Sequence, residues 1–252
     1  MKKIMALLLV GLALAGCSAK PADFNKVEVF NKALENHRSH ELIDVTASTD
    51  FQINLGDVKE TLTGSATYAG NKNFEGAQDL QFIATFKIGK NDINMESKMY
   101  AKDGVGYIEN PMSEPVKFKI NEVASNNEFS QISNLMNLTD LNEFKFTEES
   151  LNGMIATKTA DGYTFTVTGM ETEVVKAMEE AMNVPEAEAV KIKDVKFDMT
   201  ISDTFEFKTL DVAVTVESEG ETVTTNVKVV YNGYDDAVKL DFPDFGKFKP
   251  VA

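Results

Sequence analysis

The 252 residues carry 25 lysines and arginines against 40 aspartates and glutamates, a formal net charge of −15. A field of that sign repels phosphate backbones and anionic headgroups, which sets aside nucleic-acid binding and electrostatic docking to a membrane. With 43% hydrophobic residues, six scattered prolines and no Pro/Gly/Ser-rich linker, the composition is that of a folded chain with enough apolar surface for a sizeable core.

Met1-Lys2-Lys3 makes a positive start, and the mostly apolar run over 4–14 suits a signal-peptide core and is too short to span a bilayer. It closes on Leu14-Ala15-Gly16-Cys17, which resembles a bacterial lipobox. The resemblance implies that 1–16 is a signal peptide cut away before Cys17 and that the Cys17 sulfur receives a diacylglyceryl group. Two acyl chains hold a protein on a membrane where one does so only marginally. Cys17 is also the only cysteine, so no intramolecular disulfide is open to it. The organisation expected is a signal peptide over 1–16, a lipidated tether over 17–24 and a single domain over 25–252. Cleavage removes Lys2 and Lys3 and no acid, which takes the net charge to −17. The mature protein is expected on the extracytoplasmic face of a cell membrane, held by lipid alone. Arg38 is the sole arginine, a codon-usage hint of an AT-rich genome and a Gram-positive source.

The first folded element is a helix over 26–37, with Asn25 as cap and Glu28 completing a capping-box pattern. Val27, Phe30, Ala33, Leu34 and His37 share one face of it. A long alternation follows, Ile43, Val45, Ala47, Phe51, Ile53 and Leu55 facing one way and polar residues the other, which predicts a one-sided strand. Further alternating runs cover 62–68, 80–88, 93–100, 105–109 and 116–120. Glycine and asparagine turns between them mark antiparallel hairpins. Helical spacing returns over 122–138 and again over 171–183, where Val174, Val175, Met178, Ala181 and Met182 line one face before Pro185. Between these helices lie strands over 143–147, 154–158 and 163–168. Alternation resumes over 195–201, 210–216, 223–231 and 238–242.

Long strands with one apolar face must either close into a barrel or be covered by helices. The expected fold is therefore α+β: a strongly curved antiparallel sheet, or half-barrel, with about three helices covering its concave face. The lipobox, the short tether, the N-terminal helix through Asn31-Lys32-Ala33-Leu34-Glu35-Asn36 and the strands around 99–107 together resemble a family of largely uncharacterised Gram-positive lipoproteins. That family is similar in build to the LolA/LolB and LppX/LprG lipoprotein superfamily. The resemblance implies a concavity that holds acyl chains or another apolar ligand. Burial there is worth about 25 cal/mol per Å² of apolar surface, and methionines adapt to irregular ligands. Phe82, Phe86, Met95, Met178 and Met182 are the candidate lining; the simpler reading is that the same residues are ordinary core filling the same concavity.

His37-Arg38-Ser39-His40-Glu41 is the one cluster that invites a metal or acid/base reading. It has no third ligand and no His-Glu-x-x-His spacing, and histidines at a helix end commonly complement the dipole. No nucleophile elbow, phosphate loop, dinucleotide fingerprint or calcium loop occurs. The expectation is a non-enzymatic protein without cofactor or metal. Its partners are the membrane through Cys17 and a lipid or apolar ligand. The alternative is a structural or interaction module that meets another envelope protein, with open strand edges available for strand addition.

Overall fold

The computed structural model describes residues 23–55, 58–72, 79–90, 93–120, 151, 154–168, 191–218 and 221–250. Helix α1 spans Lys26–Ser39. Asn25 starts it: its Oδ1 accepts the Glu28 N–H at 3.1 Å and its carbonyl accepts the Val29 N–H at 3.1 Å. The Glu28 carboxylate pairs with Lys32 Nζ at 2.8 Å, one turn along the helix, instead of reaching back to the cap. Among the described residues twelve strands follow: β1 Leu42–Leu55, β2 Val58–Asn71, β3 Phe82–Lys90, β4 Ile93–Lys102, β5 Val105–Glu109, β6 Val116–Lys119, β7 Ile155–Thr159, β8 Gly162–Thr168, β9 Lys191–Ser202, β10 Phe207–Ser218, β11 Glu221–Tyr234 and β12 Lys249–Pro250.

Hydrogen-bonded neighbours run in the order β12-β6-β5-β4-β3-β2-β1-β11-β10-β9-β8-β7. The chain divides into two compact units, the first Met1–Arg38, Thr49–Thr61 and Asp140–Lys228, the second Ser39–Ser48, Leu62–Thr139 and Val229–Ala252.

In the first unit the buried face of β9, Val195, Phe197, Met199 and Ile201, meets Val214, Val212, Leu210 and Phe207 of β10 across an antiparallel register. Phe165 of β8 stands opposite Met199. Helix α1 buries Lys26, Val29, Phe30, Ala33 and His37, a stripe turned slightly from the expected one. The rings of Phe30 and His37 meet Phe207 edge-on at 6.0 and 5.8 Å. Lys26 is buried too; its Nζ donates to the Met154 carbonyl at 2.5 Å, and desolvation lowers its pKa. The β9–β10 turn holds Phe205 at φ 61°, a left-handed conformation that costs a bulky residue about 1–2 kcal/mol. Two sets of bonds hold the turn. Ser202 Oγ accepts the Glu206 N–H at 2.9 Å, and the Asn36 amide donates to the Thr204 and Phe205 carbonyls at 3.3 and 3.2 Å.

The second unit contains the β2–β6 meander, whose core is Tyr68, Phe82, Ala84, Met99 and Ile108. Its opposite face is covered by the C-terminal segment. Phe245 stacks on Tyr107 at 3.8 Å, and Phe248 lies edge-on to Tyr107 at 5.3 Å and to Tyr100 at 6.2 Å. Two 3-10 turns, Asp235–Ala237 and Phe245–Lys247, carry the chain to β12.

Two expectations are corrected here. The sheet is mixed rather than antiparallel: β12 pairs with β6 in parallel, because the last segment crosses over instead of returning by a hairpin. The half-barrel with about three helices over a concave face gives way to twelve strands with one α-helical element spanned in full among the described residues, α1. Among the described residues, an aromatic strap covers β4 and β5 on the Tyr100 side. The helices expected over 122–138 and 171–183 and the strand over 143–147 lie outside the described residues. The strand expected over 238–242 does not form. Pro243 has no N–H to give a ladder, and Phe242 sets its ring 6.0 Å from Phe245, which itself stacks on Tyr107.

Candidate functional site

The register of β2, β3 and β4 stacks side chains in rows on one face. Tyr68, Ala84, Met99 and Ile108 make one row, and Gly70, Phe82, Ala101 and Gly106 the row beyond it. In the other direction come Ala66, Phe86 and Ser97, and then Gly64, Ile88 and Met95. Leu62 stands at the far end of β2, opposite Lys90.

Along these rows one apolar face passes from closed core to open surface. Tyr68, Phe82 and Ala84 are wholly buried, Phe86 is half-buried, and Leu62, Met95 and Ile88 are 37%, 42% and 51% exposed. The deep end is sealed by Tyr68, whose ring stacks on Phe82 at 5.6 Å and whose hydroxyl donates to the Asn71 carbonyl at 2.6 Å. Burial drives its phenol pKa far upward. Large apolar side chains scattered singly on a surface need no explanation, but three gathered at the end of one core face do.

The reverse face of the same strands is charged. Glu96 is 3.1 Å from both Lys87 and Lys98, and Glu109 is 2.8 Å from Lys247. Glu96, Lys98, Glu109, Asn110 and Pro111 line an open depression of about 190 Å³. Its charges are already matched to one another, which leaves little for a ligand to neutralise. Hydrogen bonding to Lys87 and Lys98 holds the Glu96 carboxyl below the usual range.

Of the candidate lining residues, Phe82, Phe86 and Met95 stand on one face, Phe82 deep and Met95 at the open end. Met178, Met182 and Cys17 lie outside the described residues. Leu62 and Ile88 were missed as candidates. Alternation places them on the apolar side but carries no sign of which end of a strand stays uncovered.

The histidine cluster does not converge. His37 is buried against Phe207 in the first unit. His40, in the second unit, sets Nδ1 2.7 Å from Asp235 Oδ2 and stacks on Tyr234 at 4.3 Å. Among the described residues no group of three or more His, Cys, Asp or Glu could hold a metal ion. Asp235 also accepts the Glu41 and Leu42 N–H groups at 2.9 and 3.0 Å, so it pins the entry to β1. Partial burial pushes its pKa up, but the Leu42 and Glu41 amides and His40 outweigh that and hold it below the ordinary 3.8. A depressed carboxyl pKa contributes stability that is present above the unfolded value and lost as the pH falls through the folded one. The thermal midpoints of the parent and of Asp235→Asn should therefore differ at neutral pH and converge as the pH falls below 3.8; a gap that stays constant would assign the effect to packing.

No protein-family model matches the sequence. No curated protein matches it either. Among solved structures, LprF from Mycobacterium bovis is similar at 10% identity over 86% of this chain and 96% of its own, with a TM-score of 0.42. A LolA superfamily protein, NE2245 from Nitrosomonas europaea, is similar at 10% identity over 84% and 96%, with a TM-score of 0.24. A DUF1329 family protein from Desulfovibrio piger is also similar, at 10% identity over 84% and 96% and a TM-score of 0.25.

Proposed function

We propose that this protein binds a lipid or another apolar ligand at the open end of the β2–β4 face, as a non-catalytic carrier held by a lipidated Cys17 on the extracytoplasmic face of a cell membrane. The observation that supports the reading is the outcrop of Leu62, Ile88 and Met95 in continuity with the buried core of the same face. An acyl chain laid along it gains about 0.8 kcal/mol for each methylene it removes from water. Met95 supplies an adaptable contact, and the half-buried Phe86 a ring at the step between surface and core. The paired charges of the reverse face leave the apolar face as the natural one for such a ligand.

The test is native mass spectrometry of the Cys17→Ser protein purified from bacterial cells, with organic extraction of anything bound. A stoichiometric apolar molecule is expected, and the double variant Ile88→Asp/Met95→Asp should retain at least tenfold less of it at unchanged circular dichroism. A wild-type mass without ligand, unaltered by incubation with phospholipid vesicles, would sink the reading. A second reading, a non-catalytic interaction module of the envelope, draws support from the open edge of β7.

A further inference from the structure

We propose that two copies of this chain associate edge to edge through β7, in an antiparallel pairing centred on Thr157. The inference is independent of the ligand reading and rests on the hairpin β7–β8 of the first unit.

Strand β7 ends the strand order and pairs only with β8 among the described residues. The register Thr159↔Gly162 encloses a two-residue turn, so Thr159 and Gly162 exchange the ladder's first pair of hydrogen bonds. The register continues without a bulge. Thr157 and Ile155 therefore bond inward to β8, while the N–H and C=O groups of Ala156 and Lys158 point away from the sheet. Those four groups are the open edge. Among the described residues neither proline nor a cover guards it; Ile155, Thr157, Lys158 and Thr159 are all exposed, Ile155 to 47%.

The positions of those groups set the register in which a second copy can pair. A two-fold axis at Thr157 sets Ala156 opposite Lys158 of the second copy and Lys158 opposite its Ala156. All four outward groups of each copy then find partners within the five-residue strand. An axis at Lys158 would oppose two like charges directly, which destabilises a ladder. An axis at Ala156 would need Met154, which is wholly buried and outside the strand. On the face turned from the core, the Thr157 register opposes Ile155 to Thr159, both β-branched, and Thr157 to itself. The same row already runs Thr157, Thr164, Thr200, Thr209 across β7 to β10, with Thr200 and Thr209 hydroxyls 2.6 Å apart. Pairing would continue that row across the axis. Lys158, whose ammonium lies 5.7 Å from the Tyr163 ring, is the only charge on the strand and meets the small Ala156. The contact is smaller than the standard size of a stable interface, so the association is weak and best read by trapping it.

Cysteine trapping in the Cys17→Ser background reads the register directly. Thr157 would form a non-hydrogen-bonded pair with itself, with Cα atoms about 4.5 Å apart, inside the range a disulfide spans. Thr157→Cys is expected to form a disulfide dimer under mild oxidation at 0.15 M salt. Ile155→Cys and Thr159→Cys should each form at least tenfold less alone and cross-link to one another when mixed. Lys158→Pro removes an outward N–H, leaving the inward ladder to β8 intact, together with the exposed contact to Tyr163, and should abolish trapping in the Thr157→Cys protein at unchanged circular dichroism. Equal trapping at all three positions, or none at Thr157, overturns the proposal. The mixed pair tests the register even where the proline variant fails to fold.

Discussion

Replacing Phe248 by alanine is expected to lower the free energy of unfolding by about 3 kcal/mol, with amide protection lost first in β6 and β12. The side chain is 3% exposed and meets three rings, Tyr107 at 5.3 Å, Phe245 at 5.6 Å and Tyr100 at 6.2 Å. Truncating a buried phenylalanine costs about 3–5 kcal/mol, from lost transfer energy and the cavity left behind. The lower end applies because a ladder of only two residues holds the segment, which can settle into the space. The backbone consequence is specific. Among the described residues, the ladder that ties the C-terminal segment to the meander is the two-residue pairing of β12 with β6, reinforced by the Lys249 N–H donating to the Pro115 carbonyl at 3.0 Å. So short a ladder depends on the rings beside it. Urea denaturation with hydrogen exchange checks this; a cost under about 1 kcal/mol, or protection lost first in β9 and β10, would show that the strap does not hold that edge.

Phe207→Ala is the counterpart in the first unit, with an expected cost of about 3–4 kcal/mol and a selective loss of protection in α1. Phe207 is 1% exposed, stands opposite Ile201 and takes the edges of both Phe30 and His37. A helix of 14 residues has little stability alone in water and depends on the face it buries. The Asn36 bonds to the β9–β10 turn and the Lys26 bond to Met154 flank that face at its two ends. With the central ring gone, the helix would rest on the smaller contacts of Val29 and Ala33 and on those polar contacts, which are exchanged for water at little net gain. Exchange in α1 that stays as slow as in the parent would mean that Val29 and Ala33 carry the docking without Phe207.

The sequence was most legible where one physical signal acted alone. Two-residue alternation located β1, β3 to β5 and β7 to β11 to within a few residues, because a sheet with one buried face repeats its hydrophobic choice at every second position. Helix α1 was legible from its cap and its stripe. Alternation misled over 238–242, where Val238, Leu240 and Phe242 have the spacing of a strand. There the competing signals were Pro243 and the aromatic residues just beyond it, Phe245 and Phe248, which pack on Tyr100 and Tyr107. The bond from His40 to Asp235, 195 residues apart, lies beyond any local pattern. For the candidate site, Phe82, Phe86 and Met95 were legible as one face. Which of them would be closed and which open depends on segments distant in sequence, and no residue type encodes that.

The strand order also sets when this protein can finish folding. β1 lies between β2, its neighbour in sequence, and β11, which begins at Glu221. During synthesis the meander from β1 to β6 is complete after about half of the chain has emerged, yet one side of β1 must wait for a partner more than 160 residues downstream. Loop closure on that scale is slow, and an unpaired fourteen-residue edge invites mispairing while it lasts. A chain truncated before β11 should therefore be aggregation-prone however well its early hairpins form, which makes the arrival of Glu221–Tyr234 the committing event of folding.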